Sequence, residues 1–284
     1  MAKAPAVFEL LAKVSNNNAS GEFYLTDIAA LAHAEGLNVG THHTDAGRAL
    51  LGANTRIQLA EAEGIYQHRR RQEAMANDVT MLDPQTVYFS HDTVLGGNMM
   101  LGPNIRFLTG VTVGDDVTIE GNCVLEETTV GPGCNILSFC HISGAELADN
   151  VSVGPFARLR TGTVMGTGSK VGNFCELKKA TLGPGSKMGH LSYAGDATIG
   201  RNVNIGAGTI TCNYDGTNKH HTTIEDEAFI GSNTSLIAPV TIGHGAVVGA
   251  GSAINKDIPA ASLGVTRGEL KIRADWPKPC KKGA

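Results

Sequence analysis

The stretch LGPNIRFLTGVTVGDDVTIEGNCVL, residues 101–125, decides the fold of this chain, because a large apolar residue returns at every sixth position. An α-helix needs apolar residues with a period of about 3.6 and an ordinary strand with a period of about two, so a period of six fits neither. It suits a chain that makes one short strand and one tight turn per repeat. The apolar side chain of each repeat then points into a narrow interior. The sixfold positions of this stretch are Leu101, Phe107, Val113, Ile119 and Leu125.

The sixfold pattern continues to residue 254, with its frame shifting by one residue at intervals. Gly often follows the apolar residue, as at Gly114 and Gly231, and provides the backbone angles of a tight turn. Three successive repeats, which together have 17 or 18 residues, make one triangular coil. Stacked coils bury each other's apolar faces. We therefore predict a mainly β chain with a parallel β-helix of hexapeptide repeats, about nine coils long, over residues 94–257. A Gly-rich β-sandwich would instead show alternation and hairpin signals.

Composition narrows the classes of function. Hydrophobic residues make up 42% of the 284 residues, which excludes a disordered chain, and the net charge of −4 argues against charge-driven nucleic-acid binding. No apolar run approaches the roughly 18 residues of a membrane helix, and no charged-then-apolar leader opens the sequence. The six cysteines form no C-x-x-C pair. We therefore expect a cytoplasmic protein with reduced thiols and with neither nucleic acid nor membrane as a partner.

The pattern divides the chain into three expected segments. Residues 1–82 carry three helical patterns and little core, and the basic run at residues 68–71 is expected to be a solvated helix face. Residues 83–258 form the β-helix, and the polar stretch 212–223 interrupts its repeat and must leave the prism surface. Residues 259–284 show no repeat and are expected to pack as an arm across the prism or a neighbouring subunit.

Five short motifs are much more specific than the repeat. They are PFARLR at residues 155–160, ELKK at 176–179, GHLSY at 189–193, NVNIGAGT at 202–209 and CNYDG at 212–216. Together they closely resemble the bacterial family of bifunctional N-acetylglucosamine-1-phosphate uridyltransferases / glucosamine-1-phosphate N-acetyltransferases. The stretch NNNASGEFY at residues 16–24 is similar to the end of that family's uridyltransferase domain. The resemblance extends from about residue 12 to residue 276.

The resemblance implies a left-handed β-helix that forms a homotrimer with acetyltransferase sites between subunits. It also implies acetyl transfer from acetyl-CoA to the amine of glucosamine 1-phosphate, on the way to UDP-N-acetylglucosamine for peptidoglycan and lipopolysaccharide. The family's uridylyl transfer from UTP needs Mg²⁺ and a nucleotide-binding Gly-rich loop that this sequence lacks. Residues 1–82 resemble a mostly α-helical remnant of that α/β nucleotidyltransferase domain. Asn54 matches a metal-contacting residue of the family, but its partner ligands are missing, so we expect neither uridyltransferase activity nor a bound metal.

The resemblance also assigns roles to single residues. His190 matches the catalytic His, and a histidine suits a general base that takes a proton from the attacking amine. Glu176, 14 residues earlier, could orient the imidazole, or could be a solvated carboxylate. The family's sugar-phosphate residues match Arg160, Lys178, Tyr193 and Asn204. Its acetyl-CoA residues match Ala207, Asn213, Tyr214, Ser232, Ala250 and Arg267.

Two other functions compete with acetyl transfer on the same predicted scaffold. A γ-type carbonic anhydrase needs three histidines from adjacent coils, including an H-x₄-H pair, and the ten histidines here never show that spacing. A non-catalytic trimeric scaffold gives no reason for His190, Lys178 and Asn213 to occur together with a complete set of CoA residues.

Overall fold

A computed structural model of the chain describes residues 4–43, 47, 52–266 and 268–275. The chain divides into two compact units, Met1–Ala62 and Glu63–Ala284. The first unit holds the helices α1 (Ala4–Leu11) and α2 (Asp27–Ala34), which pack together around the buried Leu10 and Ala32. Thr26, just before α2, has helical backbone angles, and its side chain makes no capping hydrogen bond.

A third helix, α3 (Arg56–Ala76), begins in the first unit and ends in the second. Its start is a capping box: Thr55 Oγ1 accepts the Gln58 N–H, and Gln58 Oε1 accepts the Thr55 N–H. Its second half lies against the first coil of the β-helix. Gln67 pairs with the backbone of Phe89 as a strand would, donating to its carbonyl at 2.7 Å and accepting its N–H at 2.8 Å.

The expectation that residues 68–71 form a solvated helix face is wrong for its second half. Arg71 is buried, donates from Nε to Val87 O at 2.9 Å and lies over the Tyr88 ring. Arg70 donates from Nη2 to Thr93 O at 2.7 Å. A strand at the end of a β-helix has unpaired backbone groups, and these arginines satisfy two carbonyls that a further coil would otherwise bind.

The β-helix contains 27 short strands, with a 3₁₀ turn at Pro84–Thr86 between the first two. In chain order they are β1 Val79–Met81, β2 Val94–Leu95, β3 Met99–Leu101, β4 Arg106–Phe107, β5 Thr112–Val113, β6 Thr118–Ile119, β7 Val124–Glu126, β8 Thr129–Val130, β9 Asn135–Ile136, β10 His141–Ser143, β11 Ala145–Leu147, β12 Ser152–Val153, β13 Arg158–Leu159, β14 Thr163–Met165, β15 Lys170–Asn173, β16 Glu176–Leu182, β17 Lys187–His190, β18 Tyr193–Ile199, β19 Asn204–Ile205, β20 Ile210–Cys212, β21 Thr222–Ile224, β22 Phe229–Ile230, β23 Ser235–Ile237, β24 Val240–Ile242, β25 Val247–Val248, β26 Ala253–Ile254 and β27 Leu263–Gly264.

These strands stack in parallel into three faces. The first face runs β1-β3-β6-β9-β12-β15-β17-β19-β22-β25-β27. The second face holds β4, β7, β10, β13, β20, β23 and β26, and the third holds β2, β5, β8, β11, β14, β21 and β24. The long strands β16 and β18 bend around the corner and belong to both the second and the third face. The left-handed parallel β-helix predicted from the sequence is confirmed.

The interior is built from the sixfold positions. On the first face one fully stacked column of apolar side chains runs through nine coils and is buried throughout. Its members are Leu101, Ile119, Ile136, Val153, Val171, Met188, Ile205, Ile230 and Val248. Each coil therefore covers the apolar residues of the next, which is why no single coil needs a core of its own.

The stack extends beyond residues 94–257 at both ends. Strand β1 pairs with β3, so a strand of the ladder lies within the expected first segment of residues 1–82. Strand β27 pairs with β25 and lies in the expected arm. The steps at these two ends are irregular, since Val79 pairs with Met99 and Val247 with Leu263, and the sixfold period is lost there. No helix in the described part of the chain is both long and apolar enough to span a bilayer.

Candidate active site

His190 is the last residue of β17 and is exposed at the corner where the first face passes to the second. Its Nδ1 lies 2.6 Å from Oδ1 of Asn173, the last residue of β15. The two residues are direct register partners on neighbouring coils. One ring nitrogen of His190 is therefore engaged by an amide, and the other is left for solvent or a ligand.

Glu176 lies elsewhere. Its Oε1 is 2.8 Å from Nη1 of Arg160, one coil away, and both side chains are about one third exposed. Asn173 is thus the side chain that contacts the imidazole, and the sequence reasoning missed it. The spacing along the sequence could have identified Asn173, because it precedes His190 by one coil of 17 residues. Lys178 precedes its register partner Gly195 by the same number of residues.

The structure places several of the expected site residues in one row, which we call the corner line. It consists of one residue from each of five successive coils at the corner of the first and second faces: Asn173, His190, Ala207, Ser232 and Ala250. The carbonyls of the first four each accept a hydrogen bond from the next coil: Leu191 N–H to Asn173 O, Gly208 N–H to His190 O, Asn233 N–H to Ala207 O, and Gly251 N–H to Ser232 O. The row beyond His190 has only small side chains, so an extended ligand can approach its backbone closely.

A cluster of cations lies on the second face. Lys178 and Arg160 come from adjacent coils, and Lys219 reaches Lys178 from the loop 213–221. The positive charges of Lys219 and Arg160 hold the pKa of Lys178 below its ordinary value. Because these cations repel one another, their arrangement favours the binding of an anion between them. Glu176 neutralises the charge of Arg160 only. The sequence reasoning did not single out Lys219.

Tyr193 begins β18 on the second face and is half-buried. Its ring folds over Gly195, where a Cβ would collide with the hydroxyl and the ring carbons of Tyr193. Thr211 on the next coil accepts the Gly195 N–H at 2.8 Å and donates back to the Gly195 carbonyl. Gly195 therefore leaves room for the Tyr193 ring, and it is itself the register partner of Lys178 on the preceding coil.

The loop 213–221 is folded back on itself by its own polar groups. Asn213 is buried and donates from Nδ2 to Asp196 Oδ2 at 2.5 Å, while Tyr214 is exposed and donates to Gly216 O. Asp215 accepts the N–H groups of residues 217 and 218 and contacts His220 Nε2 at 2.7 Å. These hydrogen bonds, the Asn218 N–H first among them, hold the pKa of Asp215 well below its usual range. The predicted protrusion is thus an ordered loop.

Other expected site residues lie apart from these groups. Asn204 is exposed on the first face, whereas Lys178, Arg160 and Tyr193 belong to the second face. Arg267 lies outside the described residues. Asn54 is exposed in the first unit, where its N–H donates to Gln58. Within the ranges that the structure describes, no group of three or more His, Cys, Asp and Glu side chains is arranged to hold a metal ion.

Comparison with known proteins bears on the family and the fold of this chain. A family model described as the hexapeptide repeat of succinyl-transferase matches residues 92–127 and 221–256. The bifunctional protein GlmU of Stutzerimonas stutzeri is 46% identical over 274 residues, which are 96% of this chain and 61% of that protein. The GlmU of Paramagnetospirillum magneticum is 48% identical over 270 residues, 95% of this chain and 56% of that protein. The chain is a relative of the GlmU proteins. It spans less than two thirds of their length.

The similarity to GlmU covers the helices of the first unit as well as the β-helix, and it confirms the resemblance inferred from the short motifs. Among solved structures, an Arabidopsis UDP-N-acetylglucosamine acyltransferase matches with a TM-score of 0.52 at 15% identity, over 63% of this chain and 70% of that chain. At this level of identity the match concerns the fold alone.

Proposed function

We propose that this chain transfers the acetyl group of acetyl-CoA to the amine of glucosamine 1-phosphate. The observation that carries the proposal is the corner line, which places His190, with one ring nitrogen engaged by Asn173, at the head of a row of small residues and next to the face that bears the cation cluster. The GlmU relatives and the specific motifs supply the substrate class.

In the proposed reaction the amine nitrogen attacks the thioester carbonyl carbon, and the C–S bond of acetyl-CoA breaks as the amide C–N bond forms. His190 takes the proton that the amine loses, and this proton balances the departing thiolate as CoA thiol. A histidine is suited to this step because it titrates near neutral pH. The cations Arg160, Lys178 and Lys219 bind the sugar phosphate, and Tyr193 lies beside them against the sugar.

The pantetheine arm of acetyl-CoA lies along the corner line at Ala207, Ser232 and Ala250, where small side chains permit close approach. Asn213 and Tyr214 approach the acetyl end from the loop. Asn213 has a second amide N–H besides the one bound to Asp196, which can donate to the developing oxyanion. Arg267 is proposed to contact the phosphates of CoA.

The active assembly is proposed to be a homotrimer with sites between subunits. The placement of Asn204 on a different face from Lys178 and Tyr193 supports this, since a neighbouring copy can present its own Asn204 to the cation cluster. Residues 1–82 are proposed to correspond to the end of a uridyltransferase domain and to carry no uridyltransferase activity by themselves. The reducing cytoplasm remains the predicted location for a chain whose five described cysteines are free thiols.

The proposal is tested by CoA release from acetyl-CoA with and without glucosamine 1-phosphate. Release that depends on the acceptor and falls at least about 100-fold in His190→Ala supports it. His91→Ala is the matched control, because His91 is exposed on the first coil, and should leave the rate unchanged. A folded trimer that releases no CoA overturns the proposal. Pyrophosphate release from UTP with N-acetylglucosamine 1-phosphate and Mg²⁺ is expected to be absent.

A further inference from the structure

The contact between Asn173 and His190 has a chemical consequence, because a neutral imidazole carries one N–H and one lone pair. Asn173 Oδ1 faces His190 Nδ1 at 2.6 Å, and an amide oxygen can only accept. Nδ1 therefore carries the proton, and the lone pair is at Nε2. If the amide were turned, its NH₂ group would bind the Nδ1 lone pair and leave Nε2 protonated, so that the outward nitrogen could take no proton.

The rest of the surroundings leave this choice to Asn173. Ser192 Oγ and the Gly208 N–H bind the backbone carbonyl of His190 and do not act on its ring. The charged groups on the packed strands are Lys170 and Lys187 on the first face and, past the corner, Glu176, which is paired with Arg160, followed on the same strand by Lys178 and Lys179.

The backbone fixes the separation of the two side chains. Asn173 and His190 are aligned across parallel strands, and the Leu191 N–H binds Asn173 O at 3.0 Å. Just before them, Gly172 lies so close to the Gly189 carbonyl that a Cβ on Gly172 would collide with it. Gly172 therefore permits the close strand approach that brings the amide to the ring.

We propose that Asn173 is a positioning residue that fixes His190 as the Nδ1–H tautomer and so directs the basic Nε2 outward. This inference rests on the proposed acetyl transfer for its catalytic meaning, although the tautomer itself does not. An amide is neutral, so it orients the ring without stabilising the protonated imidazolium as a carboxylate would. Asn173 therefore acts on the orientation and tautomer of the ring and adds no charge beside it.

The test is the tautomer of His190, measured by long-range ¹H–¹⁵N NMR on the full chain labelled at histidine, with His190 assigned by its loss in His190→Gln. We expect the Nδ1–H form in the native protein and a mixture in Asn173→Ala. Asn173→Asp should keep the Nδ1–H form, because a carboxylate also accepts. Asn135→Ala is the control: Asn135 is exposed on β9 of the first face, and its replacement should leave the spectrum unchanged. An Nε2–H tautomer in the native protein, or an unchanged one in Asn173→Ala, overturns the proposal.

Kinetics add a second readout. Asn173→Ala should lower kcat for acetyl transfer by roughly tenfold or more, with KM for glucosamine 1-phosphate nearly unchanged. Asn173→Asp should recover activity at high pH, while the acid limb of its kcat/KM profile moves to higher pH, because an anion stabilises the charged ring. Equal losses of kcat in both variants at every pH would overturn the positioning role. If the native protein shows the Nδ1–H tautomer but no acetyl transfer, the proposed function fails and the tautomer assignment stands.

Discussion

Arg160 and Glu176 form an ion pair across one coil, with 2.8 Å between Nη1 and Oε1. Both side chains are about one third exposed, so the pair contributes little to folding. Its effect is local: it holds the guanidinium of Arg160 on the face that bears Lys178, with its remaining N–H groups available to an anion.

Glu176→Gln therefore serves to separate two roles for this carboxylate. We expect KM for glucosamine 1-phosphate to rise by about two- to fivefold and kcat to stay within about twofold, because Arg160 loses its anchor while the imidazole keeps Asn173. Steady-state kinetics measure both constants. A large fall in kcat at constant KM would instead show that Glu176 acts on the base.

Removing one cation of the cluster should weaken substrate binding more than it slows the chemistry. For Lys178→Gln or Lys219→Gln we expect KM for glucosamine 1-phosphate to rise by roughly tenfold, because each loses a charge-assisted contact with the phosphate. Lys256→Gln, on an exposed turn after β26, is the control. The rise should also shrink with added salt, since partly exposed charges are screened. Unchanged KM values would exclude this cluster as the phosphate site.

The loop 213–221 should stay ordered to unusually low pH. The folded-state pKa of Asp215 is depressed, so the stabilisation that its carboxylate provides is present above the ordinary pKa near 3.8 and is lost only as pH falls through the lower folded value. Hydrogen exchange of the loop, corrected for the intrinsic rate, should thus be flat from pH 8 to about pH 4.

Asp215→Ala should abolish that protection at all pH values, and Asp257→Ala, on the turn after β26, serves as its control. A loop that loosens already near pH 5 in the native chain would contradict the prediction.

Arg71 is expected to matter for stability although it lies in an apparently solvated basic run. Arg71→Ala leaves the carbonyl of the buried Val87 without its partner, at a cost of about 1–3 kcal/mol in the free energy of unfolding. Arg69→Ala is the matched control, because Arg69 is exposed and its ion pair with Glu73 spans 3.8 Å; it should cost under about 0.5 kcal/mol. Chemical denaturation measures both, and equal effects would show that α3 does not hold the first coil.

The sequence predicts those parts of this molecule that repeat. The buried column from Leu101 to Val248 follows from the period of six, and the place of the polar loop follows from the break in that period. The period of six does not predict the first and last strands of the β-helix. The reason is that the steps from Val79 to Met99 and from Val247 to Leu263 depart from the 17 or 18 residues of a regular coil.

Contacts between side chains of neighbouring coils were harder to predict. Counting 17 residues back from His190 reaches Asn173, but only the structure distinguishes a side chain that turns towards the ring from one that turns to solvent. The sequence also offers Glu176 as a residue that could orient the imidazole. In the structure its carboxylate instead pairs with Arg160 on the second face. Likewise, the burial of Arg71 depends on the docking of α3 on the first coil, which no local pattern encodes.

The docking of α3 also limits the growth of the stack. A β-helix is in principle an open-ended polymer, since each coil exposes the same hydrogen-bonding edge that received the coil before it. Gln67 occupies both the donor and the acceptor position of Phe89, and the arginines beside it occupy the carbonyls of Val87 and Thr93. A second molecule thus finds the backbone groups of these three residues already bound, so α3 opposes the end-to-end addition of another coil there.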